Sequence, residues 1–302
     1  MLLSHDLPIV LTLLSAGITA ILAGSLLLPR GQIMISEAAS HAVLPGMVLG
    51  FALSGQHGGV MIAGSVFAIG LFMILAGWLR GRHRLGSSVE VAALFPIFFS
   101  LGVIALSLTG LEDTAAIDLD HVLFGSLELI LWLDVFGPAD LLRPAAWRTA
   151  PEPMLQALGG AALALMLVLA SYPLINRSLM DGSSSALMTP IRHWFVRGLE
   201  IIVIATASAV CLRTAGVVVA IALFGAPVIG GWCLARNLWQ VWLAALGIII
   251  LALGLSYSAN TVLLEVFGIE ARLSGVLALC LVIVATLLPI TVRRDRSRRP
   301  LP

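Results

Sequence analysis

The chain has 302 residues, of which 60% are hydrophobic and 11% charged, with a mean hydropathy of +1.06; soluble domains carry about one quarter charged residues. This excludes a water-soluble domain and defines an all-α polytopic membrane helix bundle, a single transmembrane domain over 1–302 that meets membrane lipid on its outside. The net charge of +1 is spread along the chain, which leaves no basic patch for nucleic acid. All 17 basic residues are arginine. Without a lysine the P-loop pattern G-x-x-x-x-G-K-[ST] cannot occur, so any ATP-driven motor must be a separate polypeptide.

A bilayer core takes about 20 apolar residues per helix. Hydropathy predicts about eight to nine transmembrane helices, at 7–28, 37–54, 60–79, 90–110, 154–176, 197–212, 214–234, 238–256 and 273–292. The first is read as a retained helix rather than a signal peptide, because Asp6 stands where a basic n-region belongs. The stretch "VLFGSLELILWLDVF", 122–136, is short and carries Glu128 and Asp134; it is expected to be an interfacial or re-entrant segment. Cys211, Cys233 and Cys280 lie in apolar runs and are expected as buried thiols.

Arginine is concentrated at 80–84, in 177–197, at Arg236 and in the tail "RRDRSRR". The positive-inside rule then gives an N-out, C-in chain. The opposite side holds the acidic loop "LEDTAAIDLDH", 111–121. Asp118, Asp120 and His121, with His57 of "SGQHGG", are candidates for a cation entrance, beside the plainer reading of solvated loops. Glu200 is expected to neutralise Arg197 or to snorkel.

The sharpest feature is "ISEAASHAVLPGMVLG", 35–50. Ionisable groups inside a bilayer cost roughly 2.5–3.5 kcal/mol on insertion scales and default to functional candidates. Glu37 and His41 are four residues apart and project from one helix face. A carboxylate and an imidazole suit zinc, manganese or iron, but two ligands make only half a site. The plainer alternative is a Glu–His hydrogen bond hidden within the bundle. Ser40 adds a polar neighbour, and Pro45-Gly46 is expected to weaken the helix just beyond, as in the broken helices of transporter paths. The pair is placed in the inner half of the second helix.

Catalytic readings find no support. The zinc-protease pattern H-E-x-x-H does not occur, and Ser40 points to a different helix face from its neighbour His41, which denies a serine nucleophile its base. A transport subunit is expected, not an enzyme.

"MISEAASHAVLPGMVLGF", 34–51, closely resembles the second-helix signature, G-D-A-x-S-H-A-x-x-P-G, of the permease subunits of zinc/manganese/iron ABC importers. "IDLDHVLFGSLE" at 117–128, "LRTAGVVVAIALFGAPVIGGWCLAR" at 212–236 and "GVLALCLVIVATLLPI" at 275–290 are similar to later segments of that family, in the same order. The resemblance implies a permease of the bacterial cytoplasmic (inner) membrane that pairs with a second copy or a paralogue. It further implies an external metal-binding solute-binding protein and two cytoplasmic P-loop ATPases that use the ATP. The cargo is a zinc, manganese or iron ion, with no permanently bound cofactor. The metal path falls on Glu37 and His41, with glutamate where the family has aspartate. "RSLMDGSSSALMTPIRH", 177–193, keeps Asp181 and Ala186 of the family's coupling pattern, which puts the ATPase-coupling segment at about 178–193. Outside this family, a stand-alone divalent cation/proton antiporter and a siderophore-type ABC permease are the alternatives.

Overall fold

The computed structural model describes residues 2–55, 59–83, 89–109, 125, 127, 130–132, 135, 143–180, 190–235, 237–269 and 271–298. The long apolar runs form helices α1 (Leu2–Leu27), α2 (Met34–Ser54), α3 (Gly59–His83) and α4 (Val89–Thr109). These are followed by a short α5 (Pro144–Arg148), α6 (Glu152–Ala170), α7 (Tyr172–Met180), α8 (Pro190–Leu234), α9 (Leu238–Phe267) and α10 (Leu273–Arg298). Among the described residues there is no strand.

Eight of these helices are long and apolar enough to cross a membrane, and one of the eight is twice too long. Its apolar stretch, Phe195–Leu234, has 40 residues. At about 1.5 Å per residue it would reach about 60 Å against a hydrocarbon core of about 30 Å. Gly216 resolves the excess: its φ of 78° and ψ of 171° are non-helical and divide α8 into halves α8a (190–215) and α8b (217–234).

Contacts along α1 show that the halves run in opposite directions. Arg30, just past the end of α1, pairs with Glu200 of α8a, and the Cys211 thiol donates to the Ala16 carbonyl near mid-helix at 3.3 Å. Beyond Gly216 the chain returns: a methyl at Gly24 would overlap the carbonyl oxygen of Phe224. α9 then climbs back, with Trp242 Nε1 donating to Ser25 Oγ at 3.0 Å and Ile249 lying against Gly17. Among the described residues the bundle therefore has nine crossings: α1, α2, α3, α4, α6, α8a, α8b, α9 and α10. An odd number puts the start of α1 and the end of α10 at opposite ends, here named the Glu152 end and the Arg30 end. The expected split between 212 and 214 matches the turn, because hydropathy is interrupted at Arg213-Thr214.

α1 is the central rod, with Ile9, Leu13, Ala16, Ala20, Ala23 and Leu26 buried. Trp132 is fully buried and donates its indole N–H to the Ala146 carbonyl at 3.0 Å. It packs with Val135, Ala146 and Met154 against Leu7 and Leu11 at the Glu152 end. Of the described positions in 122–136, Leu127, Ile130, Trp132 and Val135 are buried while Leu131 is exposed, with one 3-10 residue at Leu127 and no α-helix among them. The thiol expectation holds for Cys211 and Cys280 but not for Cys233, which is exposed. An apolar neighbourhood in sequence does not distinguish a core face from a lipid face.

Candidate functional site

α2 begins after a 3-10 turn, Leu28–Arg30, that is closed by left-handed Gly31 (φ 64°). It ends at Gly55 (φ 65°), whose N–H bonds the Phe51 carbonyl at 2.7 Å. Ala39, Val43, Leu44, Met47 and Val48 are buried in a cluster with Ile69 of α3, Leu106 of α4 and Ala205 and Ala209 of α8a. Three neighbours therefore cover most of α2. The close approach to α3 rests on glycine: a Cβ at Gly46 would overlap the Gly64 carbonyl, and one at Gly50 would stand 2.7 Å from Met61 Cα.

The remaining strip of α2 carries Met34, Glu37 and His41. Met34 and Glu37 are exposed and His41 is half-buried, and the Glu37 carboxylate lies within Coulombic range of the imidazole. Glu37 is in the first helical turn, about 5 Å from the start of α2, and His41 is one turn deeper. A carboxylate there also faces the positive end of the helix dipole. Two aromatic rings of α4 wall the imidazole edge-on: Phe95 at 4.9 Å between centroids and 75°, Phe99 at 5.7 Å and 88°. They fix the ring's orientation and keep water from one side of it, leaving the other side open. The sequence reading did not single them out; "FPIFF", 95–99, which brings Phe95 and Phe99 onto one helix face, was the available signal.

Two expectations about this helix are corrected. Ser40 does not stand beside the pair: it is buried and its hydroxyl donates to the Ser36 carbonyl at 2.9 Å, since one residue of helix turns it about 100° from His41. Nor does Pro45-Gly46 break the helix, which continues through Pro45 to Ser54. Packing on three sides supports its continuity. Proline still has no N–H for the carbonyl four residues back, so the His41 carbonyl lacks its intrahelical donor.

Among the described residues no group of three or more His, Cys, Asp and Glu side chains could hold a metal ion. Glu37 and His41 share one face of α2 a helical turn apart and make no hydrogen bond with each other. The entrance candidates His57, Asp118, Asp120 and His121, and the coupling candidates Asp181 and Ala186, lie outside the described residues.

Glu200 is not paired with Arg197 as expected. Both its oxygens face Arg30, with Arg30 Nη2 donating to Oε1 at 2.6 Å and Nη1 to Oε2. A second ion pair went unnoticed in the sequence: Glu90, fully buried at the start of α4, accepts from Arg80 Nε at 2.5 Å. Both pairs sit at the Arg30 end: one ties the connection between α1 and α2 to α8a, the other ties the end of α3 to the start of α4.

Residues 7–137 match a family model described as the ABC 3 transport family. The chain is 27% identical over 256 residues to the manganese import system permease protein ScaB of Streptococcus parasanguinis, covering 83% of this chain and 81% of that one. It is 25% identical over 224 residues to the manganese transport system membrane protein MntC of Halalkalibacterium halodurans, covering 74% and 67%. With the zinc transport system membrane protein TroD of Treponema pallidum it shares 31% identity over 167 residues, 55% of this chain and 42% of that one. The solved structure of PsaBC from Streptococcus pneumoniae, in complex with Fab, superposes with a TM-score of 0.68 at 19% identity, over 92% of this chain and 88% of that one; at that identity the likeness speaks for the fold. The match to the ABC 3 transport family lies over α1 to α4, and the relatives that cover most of the chain are membrane transport subunits rather than enzymes.

Proposed function

We propose that the chain is the permease of an ATP-driven importer that carries a divalent transition metal ion, manganese, zinc or iron, from an external binding protein into the cytoplasm. The observation that carries this reading is a carboxylate and an imidazole on the open strip of a membrane helix otherwise covered on three sides. Facing lipid, Glu37 would be costly; facing the same strip of a second permease, of the same or a paralogous chain, it supplies half of a four-ligand oxygen/nitrogen site. The names of the relatives, manganese import and zinc transport proteins, favour those two ions.

The Arg30 end is the cytoplasmic one in this proposal, in keeping with the arginine-rich loops counted along the sequence. The ion passes from the outer mouth, with Asp118, Asp120, His121 and His57 as entrance groups, along the axis between two permeases to Glu37 and His41. Two P-loop ATPases dock on the segment at about 178–193, through Asp181 and Ala186, and ATP drives the alternation between outward and inward opening. No fixed cation is placed on the strip, where it would repel the ion. The ligands must hold the ion firmly enough to replace its water and loosely enough to release it.

Glu37→Ala and His41→Ala are each expected to abolish metal uptake in cells that depend on this transporter, while the complex with its ATPase purifies at the native ratio. Normal accumulation by both variants would overturn the proposal. Purified permease alone in liposomes should move no metal; if it does, the antiporter reading takes its place.

A further inference from the structure

At the Arg30 end, Arg30, Ile35, Gly77, Arg80, Arg197 and Glu200 line one cleft between the start of α2, the end of α3 and α8a. Arg80 is neutralised by Glu90 on its outer side, and Arg30 grips Glu200 through both oxygens. Arg197 is the third guanidinium. It lies three residues before Glu200, on the same face of α8a, and makes no hydrogen bond or ion pair among the described residues. Gly77 makes room for it, since a methyl there would stand 3.1 Å from Arg197 Nη2.

Glu200 therefore has one partner in hand and another within the same cleft. The first is on the connection that starts α2; the second is on its own helix. The Glu200 side chain is only 6% exposed, so leaving it unpaired would be strongly unfavourable, whereas exchanging one guanidinium for another is a move between two paired states. Ile35 lines this cleft while Glu37, two residues on, faces the opposite side of α2. Movement of Arg30 away from α8a would carry the first turn of α2, and Glu37 with it.

We propose that Glu200 is a switch carboxylate, paired with Arg30 in the state described here and with Arg197 when the start of α2 swings away to open the Glu37/His41 site toward the Arg30 end. This rests on the metal-path reading above. Arg30, Arg197 and Glu200 are positioning residues and touch no ion. A two-state element with two discrete pairings is what converts a motion of α8a into a displacement of α2.

The test uses the complete transporter, permease with its ATPase and binding protein, in proteoliposomes, and reads ATP hydrolysis without metal beside manganese import. Arg30→Gln removes the hold on the resting state; metal-free hydrolysis should rise and ions imported per ATP should fall by about tenfold. Arg197→Gln removes the second partner; hydrolysis and import should both fall, with the KM for manganese unchanged. Arg30→Lys, which keeps the charge but loses the two-pronged grip, should shift hydrolysis in the direction of Arg30→Gln by less, and stands in for it if that variant does not assemble. Opposite signs of the Arg30 and Arg197 effects support the switch. Effects of the same sign, or native import per ATP in both, overturn it, since a merely structural pair has no reason to raise futile hydrolysis. His41→Ala is run in parallel: if it imports normally the metal-path reading fails, and if it alone is inactive while the arginine variants behave as native, only the switch fails.

Discussion

At position 37 the carboxylate stands one methylene further from its helix than an aspartate would. In a path lined by two helices related across an axis, that length sets how far apart the backbones stand when both carboxylates reach one ion. Manganese and zinc differ in what they accept: manganese tolerates oxygen-rich, larger coordination shells, while zinc favours a tight tetrahedral set with imidazole. Glu37→Asp retains the ligand type and retracts it by about 1.5 Å. Uptake of both ions is expected to persist, with the manganese-to-zinc preference shifted by about three- to tenfold, measured by competition between labelled manganese and unlabelled zinc. An unchanged ratio would show that reach at position 37 does not select the ion. The Glu37/His41 spacing was readable from the sequence because four residues bring two side chains together on any helix. What surrounds the pair was not. Phe95 and Phe99 arrive from another helix, and Ser40 is turned away by packing that no local pattern encodes. The Glu200 partner lies 170 residues away, while the expected one, Arg197, was only three away; nearness along the chain favoured the wrong guanidinium.

Among the elements, α8 depends most on a single residue. At Gly216, φ is positive and ψ is near 180°, a region essentially closed to residues with a Cβ. The tip is also crowded: a Cβ at Gly125 would stand 2.5 Å from the Ala215 carbonyl carbon. Glycine at both positions lets two backbones meet where α8a becomes α8b. Gly216→Ala is expected to cost about 1–3 kcal/mol, read as a lower Tm of the purified permease in detergent. Gly225→Ala, inside α8b with open space around its added methyl, is the control and should be neutral or slightly stabilising. Equal Tm values for the two variants would mean that the turn is not held at Gly216. The hydropathy profile found this hairpin as two short spans, since Arg213-Thr214 interrupts the apolar run. It also began α2 at 37, three residues late; the difference moves Glu37 from a helix end into its first full turn.

For the whole molecule, the odd number of crossings among the described residues and the open polar strip at the start of α2 have a joint consequence. The nine crossings among the described residues alternate in direction, so the Arg30–Glu200 and Arg80–Glu90 pairs, the start of α2 and the end of α10 all lie at the Arg30 end. Most of the remaining surface is apolar, with Phe67, Leu108, Leu243 and Leu251 exposed, as expected for residues facing lipid. The strip of Met34, Glu37 and His41 is the part of α2 that lipid would cover at the greatest cost, so it should face a second permease. A two-fold axis running beside α2 brings each strip against its counterpart, and the two half-sites then face one another across it. Met34 is exposed on that strip, one helical turn before Glu37 and two before His41. In a chain where Cys233, the exposed thiol, is changed to alanine, Met34→Cys treated in membranes with a short bis-maleimide should yield a product of about twice the permease mass, joined to a second permease of either kind. Leu251→Cys, exposed on α9, should remain monomeric under the same treatment. Cross-linking through Leu251 and not Met34 would place the axis on the far side of the bundle, leaving Glu37 and His41 facing lipid and the metal path without its second half.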